Sequence, residues 1–192
     1  MANETIEILK LLISNKQESY SIRKIALLRK INYKSAYQAL KKLEKEGVVE
    51  LKKTGNTIIC SFNEKFNDLV FKAEYSRRED LFKDKNFSIM YEDISKIESP
   101  IIVILFGSQA KGTATKHSDI DLLLIADKEV SNKVQTEINI YNHKIHLTHV
   151  SYESFMRMVK SKEFSVVSEA IKNNIILIGI EEYYRLLKNV KQ

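Results

Sequence analysis

Asp119 and Asp121, in the segment S-D-I-D-L-L-L-I-A over residues 118–126, are the side chains of this 192-residue chain best spaced to do chemistry together. If the segment is a strand, both carboxylates share one face, and Ile120, Leu122 and Leu124 take the other. Two acids separated by roughly 6.6 Å of strand rise can converge on one or two divalent cations, which two-metal phosphoryl-transfer sites hold about 3.5–4 Å apart. Magnesium suits such oxygen ligands, because it takes one or two carboxylates together with substrate phosphates. Gly107-Ser108 stands ahead of Asp119 with ten residues between them. Gly107 lacks a Cβ, so the backbone amides around it and Ser108 can approach an anion closely. A helical turn starting at Ser108 would aim its free N–H groups the same way. Each half alone is commonplace: Asp-x-Asp on a surface strand is usually two solvated charges, and Gly-Ser is usually a turn. Their combination points to metal-assisted chemistry on a phosphate.

Such a pair works only if rigid elements hold it. Residues 101–106, IIVILF, form a short apolar run opened by the only proline, Pro100, and closed by Gly107, as expected of a strand buried on both faces. Residues 122–126 continue the second strand inward. A third strand is predicted over residues 144–150, K-I-H-L-T-H-V. Ser151 caps a predicted helix through Val159. A further helix is expected over 165–173, a short strand over 175–178 and a closing helix over 181–188. There Tyr183, Tyr184, Leu186 and Leu187 read as core or interface.

The whole of 101–121 resembles the signature of the polymerase-beta-type nucleotidyltransferase superfamily, most closely its minimal members. A hydrophobic strand, Gly-Ser, a short basic stretch, Ser-Asp-x-Asp and a second strand follow one another. Leu105, Phe106, Gly107, Ser108, Ala110, Lys111, Gly112, Ser118, Asp119, Ile120, Asp121 and Leu122 occupy the matching positions. The resemblance implies a mixed β-sheet flanked by helices. It also implies a nucleoside triphosphate held at Gly107 and Ser108, and Mg2+ or Mn2+ held by Asp119 and Asp121. Lys111 stands where the family often carries Arg or Lys. Active members generally supply a third carboxylate from a later strand, and His146 falls where that acid is expected. A neutral imidazole can act as a general base near pH 7 but is a poorer magnesium ligand than a carboxylate. Filling a strand face is the plainer role for such a histidine. Glu137 offers a replacement acid if the chain folds back across a hairpin at Asn142-His143.

The basic charge lies elsewhere. Residues 1–62 contain twelve Lys and Arg against six Glu, a surplus equal to the formal +6 of the entire chain. Such asymmetry suggests an anionic partner. Ile6, Leu9 and Ile13 recur at helical spacing, and Ser21 can cap a second helix with Ile22, Ile25 and Ala26 inward. Asn32 caps a third, in which Ala36, Leu40 and Leu43 form an apolar stripe while Lys34, Gln38, Lys41 and Lys45 line another face; Gly47 ends it. Residues 48–53 and 57–62, joined by Thr54-Gly55-Asn56, read as a hairpin.

Three short helices and a hairpin resemble a winged helix-turn-helix domain, with residues 36–49 similar to its recognition segment. The resemblance implies docking of residues 33–45 in the major groove of double-stranded DNA, with Lys52 and Lys53 of the wing on phosphate. Lys34, Lys41 and Lys42 would position the duplex, and Tyr37 or Gln38 would read bases. Winged helices also serve as protein-docking modules, and a basic helix face is often only a solvated face; the surplus charge favours DNA.

The expected architecture is therefore α+β: a winged helix-turn-helix over 1–62, a helical connector over 63–99 and a nucleotidyltransferase-like domain over 100–192. The connector lacks Gly and Pro. Phe66, Leu69, Val70 and Ala73 support one helix there, and Phe87, Met90, Tyr91 and Ile94 another. Those helices can pack the domains together, cover one face of the sheet or mediate a homodimer, which a palindromic DNA site requires. Cys60, the single cysteine, excludes an intrachain disulfide and reads as a buried thiol. No apolar run approaches the ~18 residues of a membrane helix, no charged-then-apolar leader opens the chain, and a cytoplasmic setting without membrane partners is expected. Repeats, low-complexity tracts and zinc-ligand spacings are absent from the sequence.

Two functions fit. One is a metal-dependent enzyme that moves a nucleoside monophosphate from a nucleoside triphosphate to a hydroxyl group, on a protein or another acceptor. The other is a DNA-binding regulator whose transferase fold has lost turnover and senses a nucleotide or docks a partner.

Overall fold

A computed structural model describes residues 2–141, 144–161 and 163–190, and the chain divides into two compact units, residues 1–76 and 77–192. The first unit begins with α1 (Ala2–Ser14), the two-residue strand β1 (Tyr20–Ser21), α2 (Ile22–Leu28) and α3 (Tyr33–Lys45). It continues with β2 (Val49–Thr54) and β3 (Thr57–Phe62). Local chemistry sets the helix starts. The Ser21 hydroxyl accepts the Lys24 amide at 3.2 Å and the Asn32 side-chain oxygen accepts the Ser35 amide at 2.8 Å, so each helix opens with an orphan donor satisfied. Ile8, Leu9, Leu12 and Ile13 of α1, Ile25 of α2 and Ala36, Leu40 and Leu43 of α3 are buried. On α3 the residues Lys34, Gln38, Lys41, Lys42 and Lys45 stay exposed. β2 and β3 form the expected hairpin, in register from Val49↔Phe62 to Thr54↔Thr57. β1 was not expected. It pairs Tyr20 with Cys60 and Ser21 with Ile59, a strand too short to leave a period in the sequence.

Cys60 is fully buried in β3, and burial, with the Glu44 carboxylate adding to it, pushes its thiol up to about 12. The nucleophile is the thiolate, so iodoacetamide at pH 8 should label native Cys60 more than about 100-fold slower than it labels the urea-unfolded chain. Comparable rates in the two states would show that β3 opens readily.

The boundary between the units falls inside α4 (Asp68–Leu81). After it come α5 (Lys85–Ser95), β4 (Ile102–Phe106), α6 (Gly107–Lys111), β5 (Ile120–Ile125), α7 (Lys128–Ile138) and β6 (Ile145–Val150). The chain then forms α8 (Tyr152–Ser161), α9 (Val166–Lys172), β7 (Ile175–Ile178) and α10 (Ile180–Val190). The four strands make one mixed sheet in the order β6-β5-β4-β7, with β5 and β6 parallel and the other pairs antiparallel. Within this unit Arg77 donates to the Asn174 carbonyl at 2.5 Å and Arg78 to that of Leu177 at 3.0 Å, which ties the end of α4 to β7 and the turn before it.

Every residue of β4 is buried, as a strand covered on both faces requires. On one face Val103, Leu105, Ile120, Leu122 and Leu124 cluster with Phe87, Met90 and Ile94 of α5 and Val134 and Ile138 of α7. Alternation turns Ile102, Ile104, Leu123 and Ile125 to the opposite face, and α9 and α10 pack on β4. Each such buried aliphatic side chain contributes roughly 1.5–3 kcal/mol of burial, so the sheet centre carries much of the unit's stability.

α7 is absent from the elements expected from the sequence, and it corrects one reading. It makes β5 to β6 a parallel crossover, and it packs on the sheet face opposite the one that carries Asp121. Glu137 therefore lies on a helix behind the sheet and does not return across a hairpin; Asn142 and His143 lie outside the described residues. Among the described residues no helix is long and apolar enough to cross a membrane.

Candidate active site

The site grows from the end of β4. Phe106 is extended, and Gly107 then takes φ +70°, a conformation glycine adopts without strain, to start the five-residue α6. A Cβ at position 107 would lie 2.3 Å from Oδ2 of Asp121, so any side chain there must push that carboxylate aside. The glycine thus serves two needs, the left-handed turn and the close passage of backbone beside a carboxylate. Gly112, at φ +68°, ends α6, and the Thr113 amide returns to the Ser108 carbonyl at 3.0 Å.

The loop into β5 is held by its own hydroxyls. The Thr115 amide donates to the Ser118 hydroxyl at 2.8 Å and the Ser118 amide to the Thr115 carbonyl at 3.1 Å. This closed turn fixes where Asp119 leaves the loop. Asp121 then lies opposite Phe106 in the β4–β5 ladder. Ile120, between the acids, is buried in the cluster behind the sheet, so alternation sends both carboxylates to the other face, as the sequence predicts.

β6 supplies the third side. Its parallel register sets His146 opposite Asp121. The His146 Nε2 lies 3.8 Å from Asp119 Oδ2 and Nδ1 lies 3.6 Å from Asp121 Oδ1, so the ring faces both acids from just beyond hydrogen-bond length. Lys144 was not expected. Its ammonium donates to Asp119 Oδ2 at 3.1 Å, and its carbonyl accepts the Ile120 amide at 2.9 Å. The available signal was its position two residues before His146, hence on the same face of a strand. Lys111, by contrast, points its ammonium to Glu169 of α9 at 3.3 Å.

Asp119, Asp121, His146 and Lys144 thus meet at one place, beside the Gly107 turn. Among the described residues no three His, Cys, Asp or Glu side chains are grouped to hold a metal by themselves. The donor set still suits a hard dication: two carboxylates turned one way beside a turn that admits backbone only, with the other ligands left to substrate oxygens and water. Asp119 and Asp121 are the residues that would hold it.

No curated protein and no solved structure matches the chain. Residues 91–183, which include both aspartates, the glycine turn and His146, match the family model described as Polymerase beta, Nucleotidyltransferase, and it is to that family that this part of the molecule is similar.

Proposed function

We propose that the protein transfers a nucleoside monophosphate from a nucleoside triphosphate to a hydroxyl acceptor with a divalent cation, and that its N-terminal unit binds double-stranded DNA. The observation that carries the first part is the pair Asp119 and Asp121 facing one way beside Gly107, inside the residues that match the family model.

In this reading the backbone amides after Phe106 and the Ser108 hydroxyl receive the triphosphate oxygens, and Lys111 leaves Glu169 to offset phosphate charge. Asp119 and Asp121 hold Mg2+ or Mn2+, which when bound supplies charge neutralisation at the reacting phosphate. The acceptor hydroxyl oxygen attacks the α-phosphorus, the bond from that phosphorus to the bridging oxygen breaks, and pyrophosphate leaves. His146 takes the hydroxyl proton as general base. Incubation with each α-labelled nucleoside triphosphate, Mg2+ or Mn2+ and DNA, RNA or protein acceptors should give transfer that disappears in Asp119→Ala. Silence with every acceptor would remove the enzymatic reading.

A second reading has its own support. With imidazole in place of a third acid and Lys144 already on Asp119, the site binds cations with fewer protein ligands than a three-carboxylate site. A nucleotide-sensing regulator without turnover fits that set as well, and nucleotide binding without transfer would favour it.

For DNA binding the support is charge and shape: the surplus of positive residues over 1–62 and the exposed row Lys34, Gln38, Lys41, Lys42 and Lys45 on α3. Tyr33 and Tyr37 stack at 6.3 Å on the same helix, and Lys53 stands exposed on β2. Lys41 also bonds Glu44 at 2.7 Å, which raises its ammonium pKa. Binding should weaken steeply with added salt, and Lys41→Ala should make the slope of log K against log salt shallower by about 1. An unchanged slope would take α3 off the phosphate backbone.

A further inference from the structure

We infer that Lys144 is a displaceable counter-ion for Asp119, so that this site binds its divalent cation more tightly together with a triphosphate than alone. The inference rests on the proposed cation site at Asp119 and Asp121 and concerns how that site is loaded.

The geometry separates a fixed backbone from a movable charge. At residue 144 the main chain is pinned, because its carbonyl accepts the Ile120 amide at 2.9 Å and Ile145 pairs with Ile120 in the first step of the parallel ladder. These bonds hold the Lys144 backbone beside the start of β5. Its side chain is free: the residue lies at the outer edge of the sheet, with 71% of the side chain exposed, and its ammonium rests 3.1 Å from Asp119 Oδ2. Lysine is a point charge on a four-carbon stem, with none of the two-pronged grip that arginine makes on a carboxylate. It can let go without any movement of β6.

Charge decides what displaces it. A free dication arriving at Asp119 meets an ammonium already there, and the imidazole of His146 occupies the remaining flank of both acids. Among the described residues there is no third acid to tip the competition. A metal-bound triphosphate brings its own negative charge beside the Gly107 turn, and the released ammonium can pair with a phosphate oxygen instead. Lys144 thus changes partner from carboxylate to phosphate, and cation and nucleotide favour each other's binding.

Binding of Mn2+ alone, of inorganic tripolyphosphate alone and of the two together, measured by manganese electron paramagnetic resonance and calorimetry on the full chain, tests this. Lys144→Met should raise the affinity for Mn2+ alone by roughly three- to fivefold, the scale of an exposed ion pair, and should weaken tripolyphosphate binding. The favourable coupling between the two ligands should shrink. Lys144→Arg, whose fork grips Asp119 harder, should bind Mn2+ alone no better than the wild type. Equal Mn2+ affinity in wild type and Lys144→Met, with binding that is lost in Asp119→Asn, would overturn the counter-ion role and leave the cation site standing. Mn2+ binding that Asp119→Asn does not affect, or none in any protein, would overturn both.

Discussion

Replacing Asp121 by asparagine is expected to lower nucleotidyl transfer by on the order of 10²–10³-fold while leaving the fold in place. The substitution keeps the shape and removes a charge. Asp121 stands opposite Phe106 in a ladder whose backbone bonds do not involve the carboxylate, and its side chain is only partly buried, so stability should change by no more than about 0.5 kcal/mol. On the proposed cation role, what changes is ligand strength: a neutral amide oxygen binds a hard dication weakly, and the developing phosphate charge would lose its anchor. Rates of labelled-product formation at saturating nucleotide, beside a thermal melt, measure both. A variant that kept more than a tenth of the wild-type rate would show that Asp121 is not a cation ligand. Asp119→Asn should show the same loss of rate.

Gly107→Ala combines two injuries, and a second glycine separates them. An alanine at φ +70° carries a backbone cost of about 1–2 kcal/mol. Its methyl must also displace Asp121 Oδ2, which lies 2.3 Å from the Cβ position. A shift of about an ångström in a reacting group can cost 10²-fold in rate. The variant should therefore melt earlier and lose about 100-fold in transfer or more. Gly112 sits at nearly the same φ, +68°, with nothing within 4 Å of a Cβ. Gly112→Ala should lose similar stability and retain most of the activity. Equal rates in the two variants would mean that the contact between Gly107 and Asp121 has no part in the chemistry.

The portions legible in the sequence are those fixed by neighbouring residues. Ser21, Asn32 and Ser151 each cap the helix they announce, because the cap bond spans only three positions. The alternation through Ile120, Leu122 and Leu124 is enough to place both acids on one face. α7 leaves little trace in the sequence because its buried stripe is one residue wide, Val134 and Ile138 with half-buried Val130, among Ser131, Asn132 and Thr136, which are weak helix formers. The contact of Lys144 with Asp119 and that of Lys111 with Glu169 join residues 25 and 58 positions apart. Only the paired register of β5 and β6 decides the first, and the packing of α9 beside the sheet the second.

Asp121 is carried by β5, an interior strand with neighbours on both sides, and Asp119 leads into it, whereas His146 belongs to the rim strand β6, which has one, and Lys144 leads into that. Asp119 and Asp121 are half-buried, with Asp121 against the glycine turn, whereas Lys144 and His146 are exposed and can be exchanged at little structural cost. The site thus has an enclosed acidic side and an open side of lysine and histidine, so its charge can be retuned by exchanges along a single peripheral strand without disturbing the sheet centre.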